Sequence, residues 1–153
     1  MSKESIRGLS NYHGIYFDAA TGKTYREDGT DTGFTFEHPS WTGPFGLHFQ
    51  WPWLNPLTFA TYETSIKVLH FVRGLLPKVS VSLDEENRIS GPFSRTVERM
   101  IVVSDGETEQ SFNAGMLANS IIRVGERLAA QSFMAEIKYA GIVEDPELLK
   151  NKS

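Results

Sequence analysis

The feature that most constrains this fold is a segment of 25 residues, His38 to Tyr62, that contains no Asp, Glu, Lys or Arg. It holds all three tryptophans of the chain, four prolines and two glycines. A continuous membrane-spanning helix is excluded, because the prolines and glycines interrupt it and unpaired backbone is not tolerated in hydrocarbon. Something apolar must therefore cover these side chains in another way.

The segment has the period of a strand. Four apolar side chains recur at every second position: Leu47, Phe49, Trp51 and Trp53. Alternate side chains of a strand share a face, so these four would lie together, with His48 and Gln50 on the other face. Pro52 has no N–H to donate, which predicts that this strand lies at a sheet edge.

Three interpretations of the segment remain open. In the first, the Trp/Phe face packs onto the C-terminal helix as core, where each aromatic removes about 150–250 Å² from water. In the second, the segment is an arm that binds a protein partner, because interface cores are poor in charge and rich in aromatic residues. In the third, it lines a pocket for an apolar ligand, with His48 and Gln50 as polar contacts.

Length and composition predict one globular domain. The chain has 153 residues, of which 40% are apolar and 22% charged, and its formal net charge is −4. We place the domain at residues 11–142, between a flexible N-terminus (residues 1–10) and a polar C-terminal tail (residues 143–153). The acidic balance argues against a nucleic-acid partner. The absence of cysteine excludes disulfides and thiolate chemistry, and a cytoplasmic location is expected because no apolar leader is visible.

The order of elements predicts an α+β fold. We expect a mainly antiparallel sheet, made of an N-terminal meander and a C-terminal hairpin, packed by two helices of which the longer is C-terminal. The meander begins with a strand over residues 12–18 and turns near Gly22. It turns again at Asp28-Gly29, and a third short strand follows through Phe34 and Phe36.

The second half of the chain contains the predicted helices. Residues 61–75 fit either a helix or a strand, and we favour the helix because the strand would be unusually long. A strand with a charged turn at Asp84–Asn87 follows, and Asp105-Gly106 predicts a tight hairpin. Asn113 then caps a helix that ends near Lys138. Its apolar face is expected to comprise Met116, Ile121, Val124, Leu128, Phe133 and Ile137.

The sequence lacks the complete motifs of several metal, phosphate-binding and nucleophile sites. The four histidines (13, 38, 48 and 70) do not stand at helical metal-ligand spacing, and Gly22-Lys23-Thr24 lacks the upstream glycine of a phosphate-binding loop. No serine-nucleophile elbow is present. We therefore expect no metal and no cofactor, and the catalytic residues, if the chain is an enzyme, are unknown.

The sequence thus favours a non-catalytic assembly subunit, either a homo-oligomer or one bound to a protein partner, that associates through residues 38–62. The alternative is a small cofactor-independent enzyme, or a protein that binds an apolar ligand, with an aromatic cleft around His48. The candidate contact residues for both hypotheses are Trp41, Phe45, His48, Phe49, Gln50, Trp51, Trp53, Tyr62 and His70.

Overall fold

A computed structural model describes residues 2–86 and 97–142 of the chain. Within these residues the predicted α+β fold is confirmed, with nine short strands and two α-helices. The strands are β1 (Ser10–Tyr12), β2 (Ile15–Phe17), β3 (Lys23–Tyr25), β4 (Asp31–Thr35), β5 (Ser40–Thr42), β6 (His48–Gln50), β7 (Ser80–Glu86), β8 (Glu98–Ser104) and β9 (Glu109–Asn113). The helices are α1 (Tyr62–Leu75) and α2 (Ala114–Tyr139), and α2 is the longer.

The described strands form three antiparallel sheets. β1 to β4 make a four-stranded meander, β5 and β6 pair only with each other, and β7, β8 and β9 make the third sheet. One hydrophobic cluster joins the meander, both helices and the third sheet, through side chains such as Phe17, Val68, Ile101 and Phe133. The pair β5–β6 contributes nothing to this core.

The first predicted strand, residues 12–18, is wrong in one respect. A tight turn at His13-Gly14 divides it into β1 and β2, which pair antiparallel. Both turn residues have positive φ, 56° and 89°, as the two central residues of a type I′ hairpin turn require. The turns at Gly22 and Asp28-Gly29 lie where the sequence predicts them.

The ambiguous segment after the aromatic stretch is a helix, as predicted. The Thr61 side chain accepts a hydrogen bond from the Thr64 backbone N–H and caps α1 at its N-terminus. Val68, Leu69 and Val72 then recur at helical spacing and are buried in the core. The helical spacing of the apolar residues therefore predicts this segment correctly, although its β-branched residues are also typical of a strand.

The third sheet departs from prediction at one end. β7 runs through Asp84, Glu85 and Glu86, so the predicted charged turn at Asp84–Asn87 is wrong for these three residues, and Asn87 lies outside the described part. These residues pair with β8, where Arg99 stands opposite Glu85. Arg99 donates a hydrogen bond to the Glu85 carboxylate at 3.2 Å, which offsets the cost of placing acidic residues in a strand.

The hairpin at Asp105-Gly106 is confirmed. The Asp105 carboxylate accepts hydrogen bonds from the backbone N–H groups of Thr108 and Glu107, at 2.7 and 2.8 Å. These bonds favour the ionised carboxylate, so they hold the pKa of Asp105 below its ordinary value. The turn is thereby closed by its own side chain.

Helix α2 begins and ends where predicted but is not straight. Asn113 caps it by accepting a hydrogen bond from the Met116 N–H, and Gly141, with φ 82°, follows its C-terminus. Gly125 inside it has φ 86° and ψ 164°, far from helical values, so residues 114–124 and 126–139 form two separate arms. The predicted continuous apolar face is therefore wrong. Phe133 and Ile137 are buried, whereas Met116, Val124 and Leu128 are exposed.

The chain termini were predicted to be flexible or polar. Residues Ser5–Gly8 form a short 3₁₀ turn that buries Ile6, although the flexibility of residues 1–10 as a whole stays a prediction. The predicted C-terminal tail, residues 143–153, lies outside the described residues.

Candidate functional site

The aromatic segment contains a hairpin that stands outside the core. In the pair β5–β6, Trp41 lies opposite Phe49 and Thr42 lies opposite His48. Because side chains alternate between the faces of a strand, one face of the hairpin is aromatic and the other is polar. We call residues 40–50 the aromatic hairpin.

The strand in this hairpin is shorter than the sequence predicts. The periodicity of Leu47 to Trp53 predicts one strand over that whole range, whereas β6 covers only His48–Gln50. The Trp51 N–H still donates to the Pro39 carbonyl at 2.9 Å. Pro52 then has no N–H, so the pairing ends there, as expected for a proline next to a ladder.

Aromatic rings form a row along one face of the hairpin and beyond its base. The rings of Trp41 and Phe49 are parallel within 19°, with centroids 4.6 Å apart, and Trp51 and Trp53 extend the row at 6.2 and 4.9 Å. Gly43 makes room for this stack, because a Cβ there would lie 2.9 Å from both the Trp41 and the Phe49 ring. The row of rings therefore stabilises the hairpin from within.

The tip of the hairpin presents apolar side chains to solvent. The Gly43 N–H donates to the Leu47 carbonyl at 2.7 Å, and the Leu47 N–H donates to the Pro44 carbonyl at 3.2 Å, which closes the tip. Phe45 has the left-handed values φ 60° and ψ 23° and is fully exposed. Leu47 and Trp53 are 56% and 71% exposed. A phenylalanine held in left-handed backbone costs of order 1–3 kcal/mol.

The uncharged segment divides between two environments. Its second part, the 3₁₀ turn Pro56–Thr58 and the following residues, belongs to the interior, with Leu57, Phe59 and Ala60 at most 1% exposed. Its first part does not: none of Trp41, Phe49, Trp51 and Trp53 belongs to the described hydrophobic core or packs against it. The core interpretation is therefore wrong for the aromatic hairpin.

The polar face of the hairpin borders a groove of about 370 Å³. His38, His48 and Gln50 line it together with Glu37 and the turn at Gly22. The tryptophans are not among its lining residues, so they do not form the predicted aromatic wall around His48; the aromatic residues that line the groove, besides the two histidines, are Phe36 and Phe59. The hypothesis of a ligand site or small enzyme stays a prediction.

The remaining candidate residues lie elsewhere. Tyr62 is the first residue of α1 and is exposed, and His70 is exposed two turns further along the same helix. Neither lines the groove that contains His48 and Gln50. The structure therefore brings together His48 with Gln50, and Trp41, Phe49, Trp51 and Trp53 with one another, but not the full predicted set.

Arg99 ties the neighbourhood of the hairpin to the third sheet. One guanidinium nitrogen donates to the Ala60 carbonyl at 2.9 Å, and the same group lies 3.8 Å from the Glu37 carboxylate. Its side chain is only 12% exposed, whereas both acidic partners, Glu37 and Glu85, are about half exposed. The buried bond to Ala60 should therefore outweigh the two solvent-screened ion pairs.

We expect Arg99→Met to lower the free energy of unfolding by about 1–2 kcal/mol, because the buried Ala60 carbonyl loses its donor while the aliphatic volume is kept. Urea denaturation measures this change. Arg123→Met, at an exposed position of α2, is the matched control and should change stability by less than about 0.5 kcal/mol. An equal effect of both variants would contradict this account of Arg99.

Two further observations on the described residues concern metal ions and membranes. They contain no group of three or more His, Cys, Asp or Glu side chains placed to hold a metal ion. Among the same residues, no helix is both long enough and apolar enough to cross a membrane.

Sequence reasoning missed one surface that lies beside the core. Gly125 folds the two arms of α2 toward each other, and they enclose a cleft with β9 that includes Phe112, Leu117 and Phe133. A single glycine within a long helical pattern was the available signal.

Comparisons of the chain with protein-family models, with curated proteins and with solved structures find no match.

Proposed function

We propose that the protein is a non-catalytic assembly subunit that binds other copies of itself, and that the aromatic hairpin is the arm through which it does so. The observation that carries this proposal is the tip of the hairpin. Phe45 is fully exposed at the end of a hydrogen-bonded, ring-stacked hairpin that the core does not need.

The composition of the hairpin supports an interface. A fully buried Phe, Leu or Met side chain contributes about 1.5–3 kcal/mol relative to an exposed one. Phe45, Leu47 and Trp53 are exposed in the isolated chain, so their burial against a partner would favour binding. The segment carries no charged side chain whose desolvation would oppose docking. Interface hot spots are enriched in tryptophan and are surrounded by residues that exclude water.

A second apolar surface on the same chain supports a copy of the chain as the partner. Met116, Val124 and Leu128 on α2 are each about half exposed or more. Two-stranded hairpins are marginally stable alone, so contact with a second protein surface would also stabilise β5 and β6. The chain therefore offers both an arm and an apolar surface for an arm to contact.

The first experiment is light scattering on a sizing column over a roughly tenfold range of protein concentration. The wild-type chain should give a mass at a multiple of 17.2 kDa. Phe45→Ser should weaken association about 30-fold, the effect of losing a hot-spot side chain worth about 2 kcal/mol. Its unfolding free energy should stay within about 0.5 kcal/mol of the wild-type value, because the side chain is fully exposed in the isolated chain.

Tyr62→Ser is the matched control, since Tyr62 is an exposed aromatic at the other end of the uncharged segment. It should leave the mass unchanged. A wild-type monomer across the whole concentration range would overturn the proposal. If that monomer instead floats with vesicles of zwitterionic lipid, and Phe45→Ser does not, the hairpin is an interfacial membrane anchor rather than an assembly arm.

A further inference from the structure

The cleft between the two arms of α2 is apolar inside and polar at its edge. Phe112 and Phe133 meet edge to face inside it, with ring centroids 4.8 Å apart. Leu117 lines it beside them, and the exposed polar residues Ser132 and Glu136 stand at its edge. An apolar centre with a polar rim is the usual anatomy of a protein-binding surface.

The volume of this cleft suits an aromatic side chain. It is about 270 Å³, and a cavity of about 150 Å³ is large enough to hold benzene. One phenyl ring and part of a neighbouring aliphatic side chain would fill it. The tip of the aromatic hairpin presents that pair, because Phe45 is fully exposed and Leu47 is 56% exposed.

The charges of the two surfaces are also compatible. The hairpin has no charged residue, and among the residues that line the cleft only Glu136, an exposed residue, is charged. An incoming ring could add to the Phe112–Phe133 pair in the edge-to-face arrangement that aromatic clusters prefer. Neither surface requires burial of an unpaired charge.

We infer that the tip of the aromatic hairpin of one chain inserts Phe45 into the α2 cleft of a second copy. This inference rests on the proposed self-association and adds its geometry. Because knob and cleft are different patches, two chains can exchange them reciprocally in a two-fold dimer, or successive chains can continue head to tail into a ring or an open filament.

The test uses two variants that block opposite sides of this contact. Phe45→Ser removes the knob, and Ser132→Arg fills the cleft from an exposed helical position that tolerates arginine. Each variant alone should associate about 30-fold more weakly than wild type by light scattering. Mixed in equal amounts they should form a dimer of one chain of each kind, because one intact knob and one intact cleft remain.

His70→Arg is the control for Ser132→Arg, since it adds the same side chain to an exposed position of α1. It should leave the mass of the wild-type assembly unchanged. If the wild-type chain associates and Phe45→Ser does not, but Ser132→Arg still assembles normally, the cleft is not the docking site. Self-association would then stand while this inference falls, and failure of the wild type to associate would remove both.

Cross-linking gives a second measurement that does not depend on a bulky substitution. The chain contains no cysteine, so Leu47→Cys and Ser132→Cys each introduce a single thiol. In a glutathione redox buffer, an equal mixture should give mainly disulfides between position 47 of one chain and position 132 of the other. A predominance of disulfides between two copies of Leu47→Cys would overturn the inference, because hairpins would then pair with each other.

Discussion

Gly115→Ala is expected to lower the free energy of unfolding by about 3 kcal/mol, because the buried first turn of α2 has no room for a methyl group. A Cβ at this position would lie 2.4 Å from the Leu57 carbonyl oxygen and 2.8 Å from the Thr58 carbonyl carbon. Both are backbone atoms, so no side-chain rotation can relieve the overlap.

The turn that carries these atoms is itself held in place. The Asn55 side chain accepts a hydrogen bond from the Leu57 N–H at 2.9 Å, and Asn119 of α2 donates to the Leu57 carbonyl at 3.3 Å. Leu57 is fully buried in the core. Moving the turn away from an alanine at position 115 would therefore break hydrogen bonds and open the core at the same time.

Gly74→Ala is the matched control, because Gly74 also lies in a helix but has no atom within 4 Å of its ideal Cβ. That change should raise stability by about 0.5–1 kcal/mol, the difference in helix propensity between glycine and alanine. Urea denaturation of both variants separates crowding from propensity. A loss below about 1 kcal/mol for Gly115→Ala would mean that the turn can shift, contrary to this account.

The parts of the fold that the sequence predicts are those specified by local chemistry. Asn113 caps α2 with its side-chain oxygen as predicted, and Asp105-Gly106 closes a hairpin through hydrogen bonds within four residues. These features depend on residue type and spacing alone. These two features explain why the start of α2 and the hairpin before it are predictable from one chain.

The missed features depend on backbone conformations that residue type does not dictate. His13 takes a positive φ that histidine adopts only occasionally, and it divides the first predicted strand. Glu85 lies in a strand opposite Arg99, and that pairing follows from the register of β7 and β8, which residue type alone does not reveal. A glycine can also occur inside a continuous helix at a modest cost in stability. The sequence therefore does not show that the chain reverses direction at Gly125.

The candidate site shows the same division. The sequence identifies the aromatic residues and their alternation, because those follow from period two. It does not show whether the aromatic face is buried, because a core strand and an interface strand both bury apolar side chains. Exposure of Phe45 and absence of the Trp41–Phe49 stack from the described core exclude the core interpretation for the hairpin, and both observations require coordinates.

Gly125→Ala is expected to lower the unfolding free energy by about 2–3 kcal/mol for a reason unlike that at Gly115. No atom lies within 4 Å of its ideal Cβ, so crowding contributes nothing. The penalty arises because φ 86° with ψ 164° is a backbone region that is essentially restricted to glycine. Urea denaturation measures it, with Gly74→Ala again the helical glycine that should gain stability.

The chain cannot avoid this penalty by straightening the helix. Leu117 and Phe133 lie on opposite arms of α2, and a straight helix would separate their Cα atoms by about 24 Å, whereas both line the same cleft of about 270 Å³. Straightening would remove Phe133 from the core and abolish the cleft. Under the proposed docking, Gly125→Ala should therefore weaken association as well as stability while the aromatic hairpin stays unchanged. Unaltered stability would show that an alanine is accommodated at the reversal, and the cleft would then not depend on glycine.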